Sequence, residues 1–389
     1  MLHIEQLHHA IVEMRRQAGA RQQLRASLLK LAMEWLSELP EDSQLRTRLL
    51  PLADDDPNGI GLLPAEDTPW AMQIPCPRVD RSQVVTIGID GSQIYPDRHA
   101  PLLYYLLHIG ALLFRYTQQA PETYTHAWLR YRDEELYDAQ GYLIDSETLN
   151  IERSIKEMEV AAALAERERA HSVAPIIVLI DGPLLWPYME RSAEGGHLKS
   201  YLSALSRLQE VGAIPVGYVD RPGGHLLLRL LWVSHQITQG AAGEPAGQFP
   251  LRGLTDLTLM EQVLTPGSRT VWFTRPSATN RLHALAGQEI WLCYGKFGSP
   301  AGASVARVEV PAWAARDREA MDILQSVLQH QAQVLGGYPY VLARAHEEAL
   351  VTSRDKGILE QTIQRELLRD GLYTEPSAKA QQKSLLSHR

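Results

Sequence analysis

The chain of 389 residues is long enough to bury a large hydrophobic core, and its length fits one large domain or two smaller ones. With 45% hydrophobic and 22% charged residues, it has the composition of a folded globular protein, which excludes global disorder. A net charge of −8 argues against a polybasic nucleic-acid binder, but it is compatible with a local basic groove or with a carboxylate metal site.

The cysteines and the apolar runs of the sequence indicate the cellular compartment of the protein. Cys76 and Cys293 are far apart and match no zinc or redox spacing, which favours a reducing environment. The longest apolar run, residues 101–114, contains His108 and is too short for a membrane span, so we expect a buried strand there. The N-terminus lacks the pattern of a signal peptide. The sequence therefore predicts a cytoplasmic protein with no membrane segment.

The predicted elements begin with helices and continue with a mixture of strands and helices. Apolar residues at helical spacing predict helices over 1–39, and Asp, Pro and Gly indicate a loop over 52–70. Strands are predicted at 83–90, 101–116, 123–131, 175–181, 214–219, 269–274, 289–296 and 303–310. Helices are predicted at 148–170, 196–211, 224–237, 313–335, 340–352 and 355–370. A loop is predicted at 238–253, a helix stop at Gly336-Gly337 and a polar, mobile tail from Pro376. This order predicts a mixed sheet, with antiparallel strands first and parallel crossovers later.

Two of the predicted strands end in the same dipeptide, Asp90-Gly91 in IGIDGS and Asp181-Gly182 in VLIDGP. A single Asp-Gly is most often a turn. Two of them, each after an apolar strand, place carboxylates at the carboxyl edge of a sheet, where open α/β sheets bind ligands. If the strands are neighbours, the two acids converge, and like charges at that distance favour a cation between them.

The helix between these strands offers a third acid. At 100° per residue, Glu157 falls inside the apolar arc of residues 151–170, whereas Glu159 falls on the solvated side. We therefore prefer Glu157 and keep Glu159 as the alternative. Such carboxylates suit Mg²⁺ or Mn²⁺, and ions of this kind promote phosphodiester hydrolysis.

A histidine near the C-terminus has two interpretations. His346 shares a helical face with Leu342 and Leu350, which is typical of a hydrogen-bonded core residue. The functional alternative is a metal ligand or a proton donor to the leaving oxygen.

An ordered series of segments resembles the NurA family of nucleases, from about residue 80 to residue 385. The segments are VVTIGIDGSQ, ERSIKEME, VLIDGPLLW, VGYVDRPGG, LTDLTLMEQVLTPGSRT, ARVEVPAW, GGYPYVLARAHEEAL and SAKAQQK. The resemblance implies an RNase H-like α/β core. With it, the sequence predicts an N-terminal helical segment over 1–50, a linker over 51–80, a nuclease domain over 81–375 and a flexible tail over 376–389.

The resemblance also implies the activity and its residues. It implies a Mn²⁺-dependent DNA nuclease, with Mg²⁺ as the alternative ion, that has 5′-to-3′ exonuclease and single-strand endonuclease activity. It further implies a homodimer that works with a HerA-type hexameric ATPase in DNA end processing and repair. Asp90, Glu157 and Asp181 match the metal-binding acids, and His346 matches the C-terminal catalytic and metal-binding histidine. Tyr294 and Lys296 are candidates for nucleic-acid contacts, against the alternatives of packing and simple solvation.

Two other functional classes stay open on the sequence. The first is a non-catalytic DNA clamp or a regulatory subunit of a translocase, docked through the amphipathic N-terminal segment. Intact acids at Asp90, Glu157 and Asp181 argue against it. The second is a phosphohydrolase or ribonuclease that uses the same acids.

Overall fold

The computed structural model describes residues 3–39, 45–55, 60–66, 72–98, 100, 102–117, 119–138, 140–186, 196–239 and 248–372. They divide into two compact units. Unit 1 comprises Met1–Val79 and Tyr218–Tyr338, and unit 2 comprises Asp80–Gly217 and Pro339–Arg389.

The described residues contain nine strands and twelve α-helices. The strands are β1 Leu63–Pro64, β2 Val85–Ile94, β3 Tyr105–Arg115, β4 Glu122–Arg130, β5 Ile176–Asp181, β6 Ala213–Asp220, β7 Phe273–Thr274, β8 Ile290–Phe297 and β9 Ser304–Pro311. The helices are α1 His8–Ser37, α2 Leu45–Asp55, α3 Asp133–Leu136, α4 Ser146–Arg169, α5 Gly196–Glu210, α6 Leu226–Thr238, α7 Asp256–Val263, α8 Ala278–Leu285, α9 Ala312–Ala315, α10 Arg318–Val334, α11 Tyr340–Ala349 and α12 Ser353–Arg369. A short 3₁₀ helix, Ile4–Leu7, precedes α1.

Unit 2 is a mixed sheet with helices. Its strands lie in the order β6-β5-β2-β3-β4, with β6 contributing its residues up to Gly217. Strand β2 pairs antiparallel with β3 and parallel with β5, and β3 pairs antiparallel with β4. Helix α4 connects β4 to β5, and α5 connects β5 to β6. Three antiparallel strands followed by helical crossovers in this spatial order are the arrangement of an RNase H-like core, so the predicted fold class is confirmed.

The central strands of unit 2 are buried because helices cover them. Strands β3 and β5 and the first half of β2 are largely apolar, as expected for strands that lack a solvated face. Ile87, Ile109 and Val178 are completely buried. Burial of side chains of this size contributes roughly 1.5–3 kcal/mol each. The edge strand β4 is polar and largely exposed by comparison.

Unit 1 has its own strands and hydrophobic core. Strand β1 pairs antiparallel with β7, β7 with β8, and β8 with β9. A large apolar cluster joins α1, α2, α6 and α7 to these strands, with Ala32, Leu49, Leu231 and Phe273 fully buried within it.

The structure corrects several predicted boundaries. Strand β2 does not end at Asp90 but continues to Ile94, because its antiparallel pairing with β3 runs on after the pairing with β5 stops. The predicted loop at 52–70 contains the end of α2 and strand β1. Helix α2 even accommodates Pro51, because Leu49 and Ala53 pack into the core of unit 1.

Two further predictions in the C-terminal half were wrong or incomplete, and two helices there were missed. The predicted helix at 313–335 is two helices, since Asp317 caps the N-terminus of α10. The strand predicted at 269–274 is reduced to Phe273–Thr274, and helices α7 and α8 were not predicted. The helix stop at Gly336-Gly337 is confirmed, because both glycines have positive φ. The tail from Pro376, and residues 240–247 of the loop predicted at 238–253, lie outside the described residues.

The predicted domain boundaries stay a prediction.

Among the described residues, no helix combines the length and apolarity required to cross a lipid bilayer.

Candidate active site

Two neighbouring parallel strands bring the paired aspartates to one edge of unit 2. The register between β2 and β5 ends with Ile89 beside Ile180. Asp90 and Asp181 are the next residue on each strand, and adjacent strands lie about 4.8 Å apart. Asp181 is the last residue of β5, as predicted, whereas Asp90 lies within β2. The predicted convergence of the two acids therefore follows from the register.

Helix α4 adds a buried glutamate to this edge. Glu157 is only 2% exposed, and burial raises its pKa from 4.5 to about 7. The negative charges of Asp90 and Asp181 also raise this pKa, which means that all three carboxylates lie within electrostatic range of one another. The side chain of Glu159 is 36% exposed and pairs with Lys156 at 2.7 Å. The structure thus places Glu157, and not Glu159, with the aspartates.

Arg153 offsets part of this negative charge. It lies one helical turn before Glu157 and forms an ion pair with it, which lowers the pKa of the glutamate. Its Nη1 also donates a hydrogen bond to the carbonyl oxygen of Gly91 at 3.1 Å. Sequence reasoning did not assign Arg153 a role, although its spacing of four residues from Glu157 is the usual signal of an ion pair on a helix.

Gly91 allows the glutamate to lie against strand β2. A β-carbon at this position would lie 2.6 Å from Oε1 of Glu157 and 2.8 Å from Cδ1 of Ile109. Real side chains do not approach that closely, so any larger residue would displace one of these groups. The glycine of the IGIDGS motif is therefore explained by the close approach of helix α4.

Helix α11 supplies the histidine. Nδ1 of His346 lies 2.7 Å from Oδ2 of Asp90, and since a carboxylate only accepts, Nδ1–H is the donor. Oδ1 of Asp90 accepts a hydrogen bond from its neighbouring amide, that of Gly91, at 2.7 Å. The His346 side chain is 63% exposed, so the interpretation of His346 as a core residue is wrong.

The two candidates for nucleic-acid contacts lie in unit 1. Tyr294 is completely buried and donates its hydroxyl hydrogen to Asp256 at 2.6 Å. Asp256 in turn accepts from the amides of Leu227 and Leu228 at the start of α6. Burial and the Asp256 charge raise the pKa of Tyr294 well above its usual range. Tyr294 is thus a core residue, and its burial contradicts the expected contact with nucleic acid.

Lys296 is half-buried, and its Nζ donates a hydrogen bond to the carbonyl oxygen of Glu261 at 3.0 Å. The contact with nucleic acid expected for Lys296 stays a prediction.

The donor chemistry at the edge of unit 2 fits a hard divalent cation. Carboxylate oxygens from β2, α4 and β5 are the preferred ligands of Mg²⁺ and Mn²⁺, and a cation would relieve the crowding of like charge at Glu157. Within the part of the chain that the structure describes, no three His, Cys, Asp or Glu side chains are gathered closely enough to hold an ion as they stand. In this arrangement the guanidinium of Arg153 provides positive charge beside Glu157.

Comparison with solved structures gives low similarity. A crystal structure of NurA has 13% sequence identity and a TM-score of 0.38, with 74% of this chain and 90% of that chain covered. A crystal structure of NurA with manganese has 12% identity and a TM-score of 0.39, with coverage of 75% and 91%. An Argonaute from Marinitoga piezophila in complex with a 5′ OH guide RNA has 14% identity and a TM-score of 0.32, with coverage of 71% and 31%.

Sequence comparison decides the family. No curated protein matches the chain. The family model of the NurA domain matches residues 84–351, which is more than half of the chain and includes Asp90, Glu157, Asp181 and His346. The chain therefore belongs to the NurA family.

Proposed function

We propose that the chain is a divalent-metal-dependent deoxyribonuclease. Its membership of the NurA family supports a nuclease-type function. The observation that carries the proposal is that Asp90, Asp181 and the buried Glu157 lie within electrostatic range of one another at one edge of unit 2, with His346 bound to Asp90. Neighbouring carboxylates beside an accessible imidazole are suited to hydrolysis of a phosphodiester.

Mn²⁺ or Mg²⁺ would be held by Asp90, Glu157 and Asp181. His346 would be either a further metal ligand or a proton-transfer group. When bound, such an ion supplies an activated water and offsets charge on the phosphodiester. The similarity to a crystal structure of NurA with manganese supports the choice of Mn²⁺. Arg153 keeps Glu157 charge-compensated in the absence of the ion.

His346 is oriented for proton transfer. Because Nδ1–H is bound to Asp90, Nε2 is the ring atom left for chemistry, and the exposure of the side chain allows substrate to reach it. When protonated at Nε2, His346 can donate a proton to the leaving oxygen. The hydrogen bond to Asp90 holds the ring in this orientation.

The finer properties are also part of the proposal. We infer 5′-to-3′ exonuclease and single-strand endonuclease activity, in DNA end processing and repair, with a HerA-type hexameric ATPase. We also infer a homodimer. Exposed apolar side chains at the start of the chain, including Ile4, Leu7, Ile11 and Met14, support docking of another subunit there.

The test is degradation of end-labelled duplex DNA, circular single-stranded DNA and RNA in the presence of Mn²⁺. The variants are Asp90→Ala and, as a matched control, Asp370→Ala, which removes an exposed aspartate at the end of α12. We expect the wild type and the control to degrade DNA. Asp90→Ala should lose about 10³-fold or more in rate, as is typical when a catalytic group is removed, and should remain folded.

Two outcomes would contradict the proposal. DNA binding without degradation, alone or with the ATPase, together with no divalent-ion binding in calorimetry, would favour the non-catalytic clamp. Degradation of RNA but not of DNA would make the protein a ribonuclease.

A further inference from the structure

We propose that Ser92 and His108 are positioning residues for His346 and act through the carbonyl oxygen of Ala349. The inference rests on the proposed nuclease function, in which His346 takes part. It explains the serine that follows Asp90-Gly91 in the IGIDGS motif.

Both side chains bind one oxygen at the end of helix α11. Ala349 is the last residue of this helix, and its carbonyl belongs to the last turn, which lacks intrahelical partners. The hydroxyl of Ser92 donates to this oxygen, and Nδ1 of His108 donates to it at 2.9 Å. A carbonyl oxygen has two acceptor positions, so the two donors satisfy it fully.

The backbone of α11 rests directly on the two strands that carry these donors. A β-carbon at Gly88 would lie 2.3 Å from the carbonyl oxygen of Val341, at the start of the helix. A β-carbon at Gly110 would lie 2.3 Å from the amide nitrogen of Ala349, at its end. Gly110 is also the residue that pairs with Asp90 in the β2–β3 register. Both ends of helix α11 therefore pack closely on strands β2 and β3. The C-terminal end lies on the residue that pairs with Asp90.

The position of His346 depends on how α11 packs on these strands, because the side chain of His346 is mostly exposed. Packing around the ring cannot fix it, so its position is set by the helix that carries it. His346 precedes Ala349 by three residues, which is about 4.5 Å along a helix axis. The bond from Nδ1 of His346 to Asp90 is 2.7 Å long, and a displacement of about 1 Å would take it outside hydrogen-bond range. If both donors to Ala349 are lost, the end of α11 is free to shift by about 1 Å.

The experiment compares Ser92→Ala, His108→Ala and their combination with the conservative variant His108→Asn, whose amide retains a donor. The matched control is Ser234→Ala, which removes a buried hydroxyl that donates to the carbonyl of Leu230 in α6 of unit 1. Three quantities are measured: turnover and KM on DNA with Mn²⁺, amide hydrogen exchange of residues 340–349, and the thermal unfolding midpoint.

We expect the double variant to lose about tenfold in turnover with KM changed by less than about twofold, as for a misplaced catalytic group. Exchange in residues 340–349 should accelerate, and His108→Asn should recover turnover to within about threefold of the wild type. Ser234→Ala should leave turnover and this exchange unchanged.

The inference is overturned if the double variant keeps wild-type turnover, or if Ser234→Ala lowers turnover as much. If the wild type degrades no DNA, the proposed function fails. The hydrogen-exchange measurement alone then decides whether Ser92 and His108 hold the end of α11. Unchanged exchange of residues 340–349 in the double variant would then overturn it.

Discussion

Replacement of Glu157 by glutamine should stabilise the metal-free protein at pH 8. Burial raises the pKa of this carboxyl, Arg153 lowers it, and the charges of Asp90 and Asp181 raise it, so that the pKa lies at about 7 instead of 4.5. The folded protein thus holds a carboxylate in an unfavourable environment. Glutamine has the same shape without the charge, and its oxygen can still accept a hydrogen bond from Arg153.

The direction and size of the effect follow from proton linkage. Between pH 4.5 and about 7, the folded state binds more protons at Glu157 than the unfolded state does. The free energy of unfolding therefore falls as the pH rises through this window. At roughly 1.4 kcal/mol per pH unit, the ionised group costs about 3 kcal/mol above pH 7 and nothing below pH 4.5.

Urea unfolding with a chelator present, at pH 5 and pH 8, measures this cost. The matched control is Glu159→Gln, which removes an acid on the same helix that is 36% exposed and paired with Lys156. Glu157→Gln should raise the free energy of unfolding by about 3 kcal/mol at pH 8 and by clearly less at pH 5, with the control within about 0.5 kcal/mol of wild type. Equal stability of Glu157→Gln and wild type at pH 8 would contradict a destabilising charge on Glu157. A larger gain in Glu159→Gln would transfer the role to that residue.

Three further predictions concern packing and titration. Gly91→Ala should abolish nuclease activity and cost about 1–3 kcal/mol in urea unfolding, because its β-carbon would meet Glu157; full activity would contradict the close approach. Tyr294→Phe should cost about 1–3 kcal/mol by leaving Asp256 without its hydroxyl partner, with DNA affinity in a filter-binding assay unchanged; a weaker affinity would reinstate Tyr294 as a nucleic-acid contact. Burial lowers the pKa of His283 to about 4, so the unfolded state binds more protons between pH 6.5 and 4. Stability should fall by about 3 kcal/mol as the pH drops through that window, and His283→Gln should flatten the dependence measured by urea unfolding; an unchanged dependence would contradict it.

The sequence was sufficient for those parts of the site that depend on local pattern. Helical periodicity placed Glu157 on the buried face and Glu159 on the solvated one, as the structure has them. The apolar run before Asp181 correctly predicted that β5 ends on this residue.

Features that depend on tertiary contacts could not be predicted. The end of β2 was misplaced because Gly91, Ser92 and Gln93 lack apolar side chains, although they pair with β3. His346 was ambiguous, because only the packing of α11 on Gly88 and Gly110 turns it toward Asp90. The helices α7 and α8 have eight residues each, too short for a periodic signal, although Thr255 and Ser277 cap them in the usual way.

The most direct test of the proposed metal site is a crystal structure grown with Mn²⁺, in which anomalous scattering locates the ion. We expect a manganese peak in contact with the carboxylates of Asp90, Glu157 and Asp181. We also expect this peak to disappear in Asp90→Ala. A peak at other residues, or no peak at saturating Mn²⁺, would contradict a metal-dependent nuclease site at this edge of unit 2.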